Sequence, residues 1–486
     1  MEGVVGAGGL KDVVRGLANA LVRRGAQTIC YLPRYGSLSV PSSPMKSLSL
    51  RSGERLGVHD VSLEGIELRL IEHRCFAEKN DVYVYREGDA PHPRLIGCGH
   101  QDALAMNALF QEAVIRDLFQ RGEHVDVIHG HDGHCGLLPL YMERYPSFFH
   151  ATGFLLTIHN AGVVYQQCMG SLEEAVAITG LPSPRLALGL MDSMVSPLLI
   201  AARTGSINTV SPGYAQEVLQ KKDSSSGSFG GLLQQNRIPL PGVLNGLDTD
   251  FWLTTTDAPG LQKSQERIRV RQSLEYSIPG LQRYGDLPSV HHPWVLFHGR
   301  LTEQKGVDEI LLLHDDHPAG DHPVHVLVYG QGEAEYEAQL MEKCQSGGPW
   351  TFFKGYAPDF AQDLLAASSF VLLPSLWEPC GQVDMAGQLL GALPIVRGVG
   401  GLKKIRHQRD GYSYSSEGPE GLEFWLKKAL NDEELHPKRL ARMRKRAENT
   451  IYERRNWNKV LVRGYFPLYR RARRQTLFRR SPSMHG

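Results

Sequence analysis

Short apolar runs alternate with helix-patterned stretches along almost the whole chain, and this alternation most constrains what it can fold into. In the first half the runs are 28–32, 82–85, 125–129, 154–159 and 207–210. Helical apolar spacing covers 11–24, 103–120 and 136–145 and resumes at Tyr214. In the second half the runs are 294–297, 324–329, 350–353, 370–373 and 394–396, again separated by helical stretches. Strands this short and apolar are buried on both faces, and helices that follow each one cover a parallel sheet. The expected fold class is therefore α/β, with two doubly wound domains facing each other. Their boundary falls near residues 253–260, giving 1–252 and 261–450. A Ser- and Gly-rich stretch, 221–231, reads as a surface loop.

Composition narrows the class further. A chain of 486 residues is long enough for two or three domains. A formal net charge of +1 argues against a general nucleic-acid binder or a membrane-surface protein. The seven cysteines show no CxxC spacing and no disulfide framework, which points to a reducing cytoplasm. No signal-peptide pattern and no apolar run of membrane-spanning length is found. The glycine loop Gly6-Ala7-Gly8-Gly9 follows Met1 with scarcely room for the strand that normally precedes such a loop. The expectation is that the first strand is missing or that the chain begins late.

Two loops carry the strongest chemistry. His298-Gly299-Arg300-Leu301-Thr302-Glu303-Gln304-Lys305-Gly306 and Pro374-Ser375-Leu376-Trp377-Glu378-Pro379-Cys380-Gly381 each follow a buried strand. Both therefore lie at the carboxyl edge of a sheet, where open α/β sheets bind ligands. Arg300 offers a planar fork to phosphate oxygens and Lys305 a compact charge, and both would stabilise a leaving diphosphate. Glu378 suits a polar, non-phosphate group beside it, although the position also allows helix capping. Gly381 before one helix and Gly400-Gly401 before another look like complementary contacts to one anionic ligand. Gly8 and Gly9 open the first helix with unshielded backbone amides. Together these suggest an enzyme handling a sugar attached to a nucleotide diphosphate.

Other clusters are more ambiguous. His129-Gly130-His131-Asp132-Gly133-His134 ends a strand and could in principle ligate a metal. Successive strand residues point to opposite faces and the rest of a ligand set is missing, so no metal is assigned. Asp132 bonding a hydroxyl or the adjacent domain fits better. Thr157-Ile158-His159-Asn160 also ends a strand, and Asn160 with the Gly162 turn favours a cleft position for His159. The arginine-crowded tail, 466–486, reads as a solvated end.

In this order, these motifs resemble bacterial and plastid glycogen and starch synthases over nearly the whole chain. Gly8-Gly9-Leu10 with Asp12-Val13-Val14 is similar to the family's N-terminal glycine loop. Leu32-Pro33-Arg34-Tyr35-Gly36, His129-x-His131-Asp132, Thr157-Ile158-His159-Asn160, Thr209-Val210-Ser211-Pro212 and Leu244-Asn245-Gly246-Leu247-Asp248 follow. Gly299-Arg300-Leu301 with Gln304-Lys305-Gly306, Glu378-Pro379-Cys380-Gly381 and Gly400-Gly401-Leu402 complete the set. The resemblance implies two Rossmann-like domains facing across a cleft, the GT-B type. It implies a C-terminal helix over 451–475, carrying Trp457, Tyr465 and Tyr469, that crosses back to the first domain, then a disordered basic tail over 476–486.

The implied reaction moves glucose from ADP-glucose or UDP-glucose to the non-reducing end of an α-1,4-glucan, with retention and with no cofactor or metal. Arg300 and Lys305 are implied to hold the diphosphate, His159 to sit by the transferred glucose and Glu378 to orient it. Cys380, Gly381, Gly400, Gly401, Gly8 and Gly9 are implied on the nucleotide-sugar side. Asp12, Asp132, Asn160 and Asn245 are implied on the acceptor or sugar side.

Departures from the family pattern occur in both halves, eroding the first half's part of the site and leaving the second half's core site intact. The family's loop lysine falls at Gly6, the aromatic after His-x-His-Asp is Gly133, and an arginine position is Met106. In the second half, a position commonly Gln is Asp384, a threonine is Val399, and an acidic residue after Leu402 is replaced by Lys403-Lys404. These leave two further readings. One is a catalytically impaired glucan-binding or regulatory relative. The other is a different chemistry on the same architecture, such as a pyridoxal-phosphate phosphorylase, for which no Schiff-base lysine context is present.

Overall fold

The computed structural model describes residues 8–38, 45–220, 226–253, 264–274, 280–313, 318–319, 322–415 and 421–478. Residues 1–7, with Gly6, and 479–486 lie outside the described residues. The chain divides into two compact units, Met1–Val243 with Val460–Gly486, and Leu244–Lys459.

The first unit opens on the helix Gly8–Val22, which buries Val13 and Leu17, four apart on one face. It contains three sheets among the described residues, the smallest being the two-stranded pair Leu190–Met191 and Met194–Val195. The four-stranded sheet runs Ile29–Pro33, Ile66–Glu72, Arg55–Leu63, Met45–Ser49; the first pair is parallel and the others antiparallel. The three-stranded sheet, Val127–His131, Gly153–Ile158 and Ser206–Thr209, is parallel throughout. Gly153–Ile158 is buried at all of its residues, the mark of a central strand covered on both faces. Ala103–Arg121, Pro197–Thr204 and Pro212–Leu219 supply the covering helices. The last two are capped by the Ser196 and Ser211 hydroxyls, with Pro at the first helical position.

The antiparallel strands are an addition that apolar runs did not reveal, because Arg69 occupies an inward position of Ile66–Glu72. Its guanidinium is 1% exposed and meets Glu67, Asp117 and Glu123 at 2.5, 3.0 and 2.5 Å. The expected strand at 82–85 is not one. Asp81 accepts the Tyr83 and Val84 amides (2.9 and 3.2 Å), which holds a turn, and only isolated bridges form at Val84 and Tyr85.

The second unit is built on a seven-stranded sheet. Its six parallel strands, in spatial order, are Trp350–Gly355, His325–Gly330, Trp294–His298, Phe370–Leu373, Leu393–Arg397 and Tyr412–Tyr414, with Leu281–Tyr284 antiparallel at one edge. By chain order the parallel strands read 3-2-1-4-5-6, the doubly wound arrangement. Its direction of winding reverses between Trp294–His298 and Phe370–Leu373. Separate apolar clusters cover the two faces. One holds Val295, Phe297, Phe370 and Leu393; the other holds Trp294, Leu296, Val371 and Leu373. Alternate residues of the same strands thus feed opposite layers.

Two boundaries differ from expectation. The loop Leu244-Asn245-Gly246-Leu247-Asp248 belongs to the second unit, because the Leu247 amide donates to Arg455 O (2.7 Å) and its side chain joins that unit's core. At the other end the chain leaves the second unit after Lys459, and the helix Phe466–Phe478 packs on Gly153–Ile158 of the first. Residues 476–478, expected in a disordered tail, are the last turn of that helix. No helix among the described residues is long and apolar enough to cross a membrane.

Candidate active site

In the second unit, the loops after Trp294–His298 and Phe370–Leu373 emerge where the winding reverses, so the topology brings them side by side. Gly306 makes the contact possible. Its φ of 71° is left-handed, and a Cβ there would lie 2.4 Å from Pro374 O. The 3₁₀ turn Glu303–Lys305 ends on it and projects Lys305 onto the second loop.

Lys305 Nζ lies 2.5 Å from Glu378 Oε2, and Ser375 Oγ donates to the same oxygen at 3.2 Å. Burial works against the Glu378 charge, but Lys305, then Lys404 and the Ser375 hydroxyl, outweigh it and hold the carboxyl below its ordinary range. Arg300 stands apart from the pair, exposed, with Nη2 donating to Gln304 Oε1 (3.2 Å). Gln304 in turn donates to Trp377 O and accepts from the Leu376 amide. The structure thus joins Lys305 to Glu378 directly and ties Arg300 to the same two loops through Gln304.

The glycines close the rear of this loop. Gly401 N donates to Glu378 O (2.7 Å), and a Cβ on Gly401 would meet Cys380 O at 2.2 Å. Gly400 and Gly401 form the start of a 3₁₀ turn, Gly400–Lys404, directly after Leu393–Arg397. Cys380 is buried and its thiol is pushed up to about 11 by burial, so it is not a nucleophile. Asn245 is buried, with its backbone amide on the Cys380 sulfur, so it supports the Glu378–Gly381 loop from within the same unit.

In the first unit the ends of Val127–His131 and Gly153–Ile158 gather the other candidates. His131 Nδ1 and His159 Nε2 are 3.0 Å apart, one donating to the other. Burial pushes the His131 imidazole down to about 4 and depresses that of His159, so both rings are neutral at pH 7. Asp132, at φ 56°, accepts the amides of His159 (2.6 Å) and Asn160 (3.4 Å). Burial pushes its carboxyl up to about 7 against those two amides. The Asn160 carbonyl oxygen is committed to the turn, accepting from Gly162 N and Tyr214 Oη (2.9 and 3.3 Å).

His129 belongs to a different line. Thr157 Oγ1 donates to Asn208 Oδ1 (2.8 Å), so it must accept from His129 Nε2 (2.7 Å); His129 Nδ1 is then the acceptor for Tyr469 Oη at 3.1 Å. His134 packs beside Tyr83. No group of three or more His, Cys, Asp or Glu side chains able to hold a metal occurs among the described residues. Gly8 and Gly9 begin the first helix, and Asp12 is exposed one turn on.

Two departures have structural reasons. A Cβ on Gly133 would lie 2.4 Å from Gln166 O, so no aromatic fits there, and Met106 is a core residue beside Tyr35 and Leu48. One residue escaped the sequence reading. Tyr356, 71% exposed, follows Trp350–Gly355 on the same carboxyl edge as Lys305 and Glu378. The next residue, Ala357, is fixed by a two-way bond with the Tyr329 hydroxyl (2.7 and 2.8 Å). The available signal was an aromatic directly after a strand-ending glycine.

Comparison with known proteins bears on the family and the fold. The model of the starch synthase catalytic domain matches residues 1–235, and that of glycosyl transferases group 1 matches 288–450. Glycogen synthase of Photobacterium profundum is 30% identical, with 96% of this chain and 92% of the relative covered. That of Vibrio cholerae is 28% identical, covering 97% of both chains. Among solved structures, the catalytic domain of starch synthase IV from Arabidopsis thaliana superposes with a TM-score of 0.79 at 23% identity over 98% of both chains. A sucrose-phosphate synthase from Thermosynechococcus elongatus reaches 0.57 at 17% identity, over 96% of this chain and 94% of that one. These two establish the likeness in fold.

Proposed function

The chain belongs to the glycogen and starch synthase family of retaining glycosyltransferases, and on that premise we propose that it moves glucose from ADP-glucose to the non-reducing end of an α-1,4-glucan in the cytoplasm. The observation that carries the reading is the Lys305–Glu378 pair at the sheet's reversal point, with the Arg300 guanidinium exposed on the adjoining loop.

Cleaving the bond between the anomeric carbon and the diphosphate leaves negative charge on the departing phosphate. Arg300 and Lys305 supply two cations where that charge grows, which lowers the barrier without binding the ground state equally well. Glu378, kept ionised, accepts hydrogen bonds from the sugar hydroxyls and orients the ring. The exposed Tyr356 ring on the same edge offers a stacking face to the base. In the first unit, we assign the neutral His159 with Asp132, Asn160 and Asp12 to the sugar and acceptor side. Retention follows if the glucan hydroxyl attacks from the face that the diphosphate leaves. The choice of ADP-glucose is supported by the Arabidopsis starch synthase IV catalytic domain, which was solved bound to ADP and acarbose.

The test is release of nucleoside diphosphate from ADP-glucose and UDP-glucose, with and without a linear α-glucan. Glucan-dependent release, faster from ADP-glucose, is expected. Faster release from UDP-glucose would overturn the donor assignment. No release from either donor, with the glucan still bound, would identify a non-catalytic glucan-binding relative.

A further inference from the structure

Lys404 and Asp384, which stand in the sequence as two separate departures from the family pattern, are partners in the fold. Lys404 Nζ lies 2.8 Å from Asp384 Oδ2, and the two side chains are 4% and 0% exposed. The same ammonium donates to Cys380 O and Gly381 O, at 2.5 and 3.1 Å. An ammonium carries three protons, and here three acceptor groups take them. The lysine therefore has no proton left for a ligand, and its effect must pass through the loop that it holds.

We propose that Lys404, held by Asp384, is a positioning residue that fixes the direction of the Glu378–Gly381 loop toward the donor. This rests on the glucosyltransferase reading. The geometry follows from the planar trans peptide, in which C=O and N–H point opposite ways. Drawing the Cys380 carbonyl inward turns the Gly381 N–H outward, and among the described residues that amide has no protein acceptor. The clamp sits directly beneath the Gly381 α-carbon: a Cβ there would lie 2.8 Å from Asp384 Oδ1 and 3.1 Å from Lys404 Nζ. Gly401 N holds the Glu378 carbonyl from the same side. Lys404 is itself pinned, because Arg455 Nη2 donates to its carbonyl (2.8 Å) while Nη1 donates to Gln388 Oε1 (2.8 Å).

The clamp also acts by charge. The charged and titratable groups around Glu378 are Lys305 on the first loop, Lys404 behind the loop with its partner Asp384, and the neighbouring Cys380 thiol, which stays protonated. Losing the Lys404 cation removes one of the influences that keep Glu378 ionised, so the acid limb of turnover should move to higher pH.

The experiment compares wild type with Lys404→Arg, Lys404→Met and the charge-free pair Asp384→Asn/Lys404→Met. The pair removes both buried charges together, so it keeps the test open if Lys404→Met alone fails to fold. Turnover, KM for glucan and the pH profile are measured with ADP-glucose, and amide hydrogen exchange is followed over residues 378–382. The double variant is expected to lose at least about tenfold in kcat while KM for glucan stays within about twofold. Its acid limb should shift upward, and Lys404→Arg should recover part of the rate. A folded double variant with wild-type kcat and an unmoved acid limb overturns the proposal. Should wild type release no diphosphate, the glucosyltransferase reading fails on its own. Exchange then decides the clamp: faster exchange over 378–382 in the double variant upholds it, and unchanged exchange refutes it.

Discussion

Replacing Lys305 by Met is the sharpest probe of the reaction, because the structure makes two distinct effects separable. The Lys305 ammonium lies 2.5 Å from Glu378 Oε2, and its side chain is 21% exposed. A unit charge growing about 4 Å from an ammonium is worth about 4 kcal/mol at an effective dielectric constant of about 20. At about 1.4 kcal/mol per decade that is about a thousandfold in rate. Partial solvent contact and the remaining Arg300 cation weaken the loss, so a fall of about 10²–10³ in kcat is expected.

The second effect is on Glu378. Its depressed carboxyl is ionised above its folded pKa and is neutralised as pH falls through that value. Without Lys305, burial is opposed only by Lys404 and Ser375, so the pKa rises and activity is lost at a higher pH on the acid side. The assay is a coupled release of nucleoside diphosphate at saturating glucan between about pH 5 and 9, with a thermal melt to confirm folding. Lys305→Arg keeps the charge but changes its shape and should fall between the two. A folded Lys305→Met enzyme within about threefold of wild type across that range would refute the assignment of Lys305 to the leaving group.

Three further outcomes follow from other parts of the fold. Arg69→Met takes from buried Asp117 one of its two cations, with Arg121 remaining on the other oxygen, and should lower urea unfolding stability by about 2–3 kcal/mol; a loss under about 1 kcal/mol would show that the ion cluster is not structural. Burial raises the Asp132 carboxyl to about 7, so its contribution to stability is present at low pH and is lost as pH rises through that value. Asp132→Asn should therefore gain on wild type by about 2–4 kcal/mol in urea unfolding between pH 4 and pH 8, and a difference that does not grow with pH counts against this. Of the seven cysteines, Cys98 is exposed, whereas Cys30, Cys135, Cys344 and Cys380 are pushed up to about 11 by burial. A thiol reagent at pH 8 should show one fast reaction that Cys98→Ser abolishes, and a fast phase surviving that change would contradict the burial described.

What could be read from the sequence depended on how each residue is buried. The interior parallel strands of the second unit, such as Trp294–His298 and Phe370–Leu373, are buried on both faces and therefore appear as unbroken apolar runs. Ile66–Glu72 and Arg55–Leu63 were hidden because ion pairing lets Arg69 point inward, which breaks the apolar alternation that would mark a strand. Leu281–Tyr284 is an edge strand whose apolar ends are separated by the exposed Gln282 and Arg283, so it forms no apolar run. The site loops could be located, since each follows a buried strand and carries glycine where the backbone must approach another loop. Their pairings could not. Lys305 meets Glu378 across 73 residues, and Lys404 meets Asp384 across 20, through contacts that only the sheet order creates. Judged singly, Asp384 and Lys404 looked like losses; together they compensate each other.

The way the first unit is closed sets an order of events during synthesis. Tyr469, on the helix Phe466–Phe478, is the far end of the hydrogen-bonded line through His129 and Thr157 to Asn208. That helix also covers Gly153–Ile158. On the ribosome, then, the half of the protein made first is the last to be finished. Leu244–Lys459 can complete its fold while the earlier segment still waits, with one face of its innermost strand uncovered, for the helix Phe466–Phe478 to emerge. A ribosome that stalls before Val460 leaves a nascent chain whose leading half has one hydrophobic sheet face uncovered, and that half rather than the trailing one is what a chaperone would have to shield.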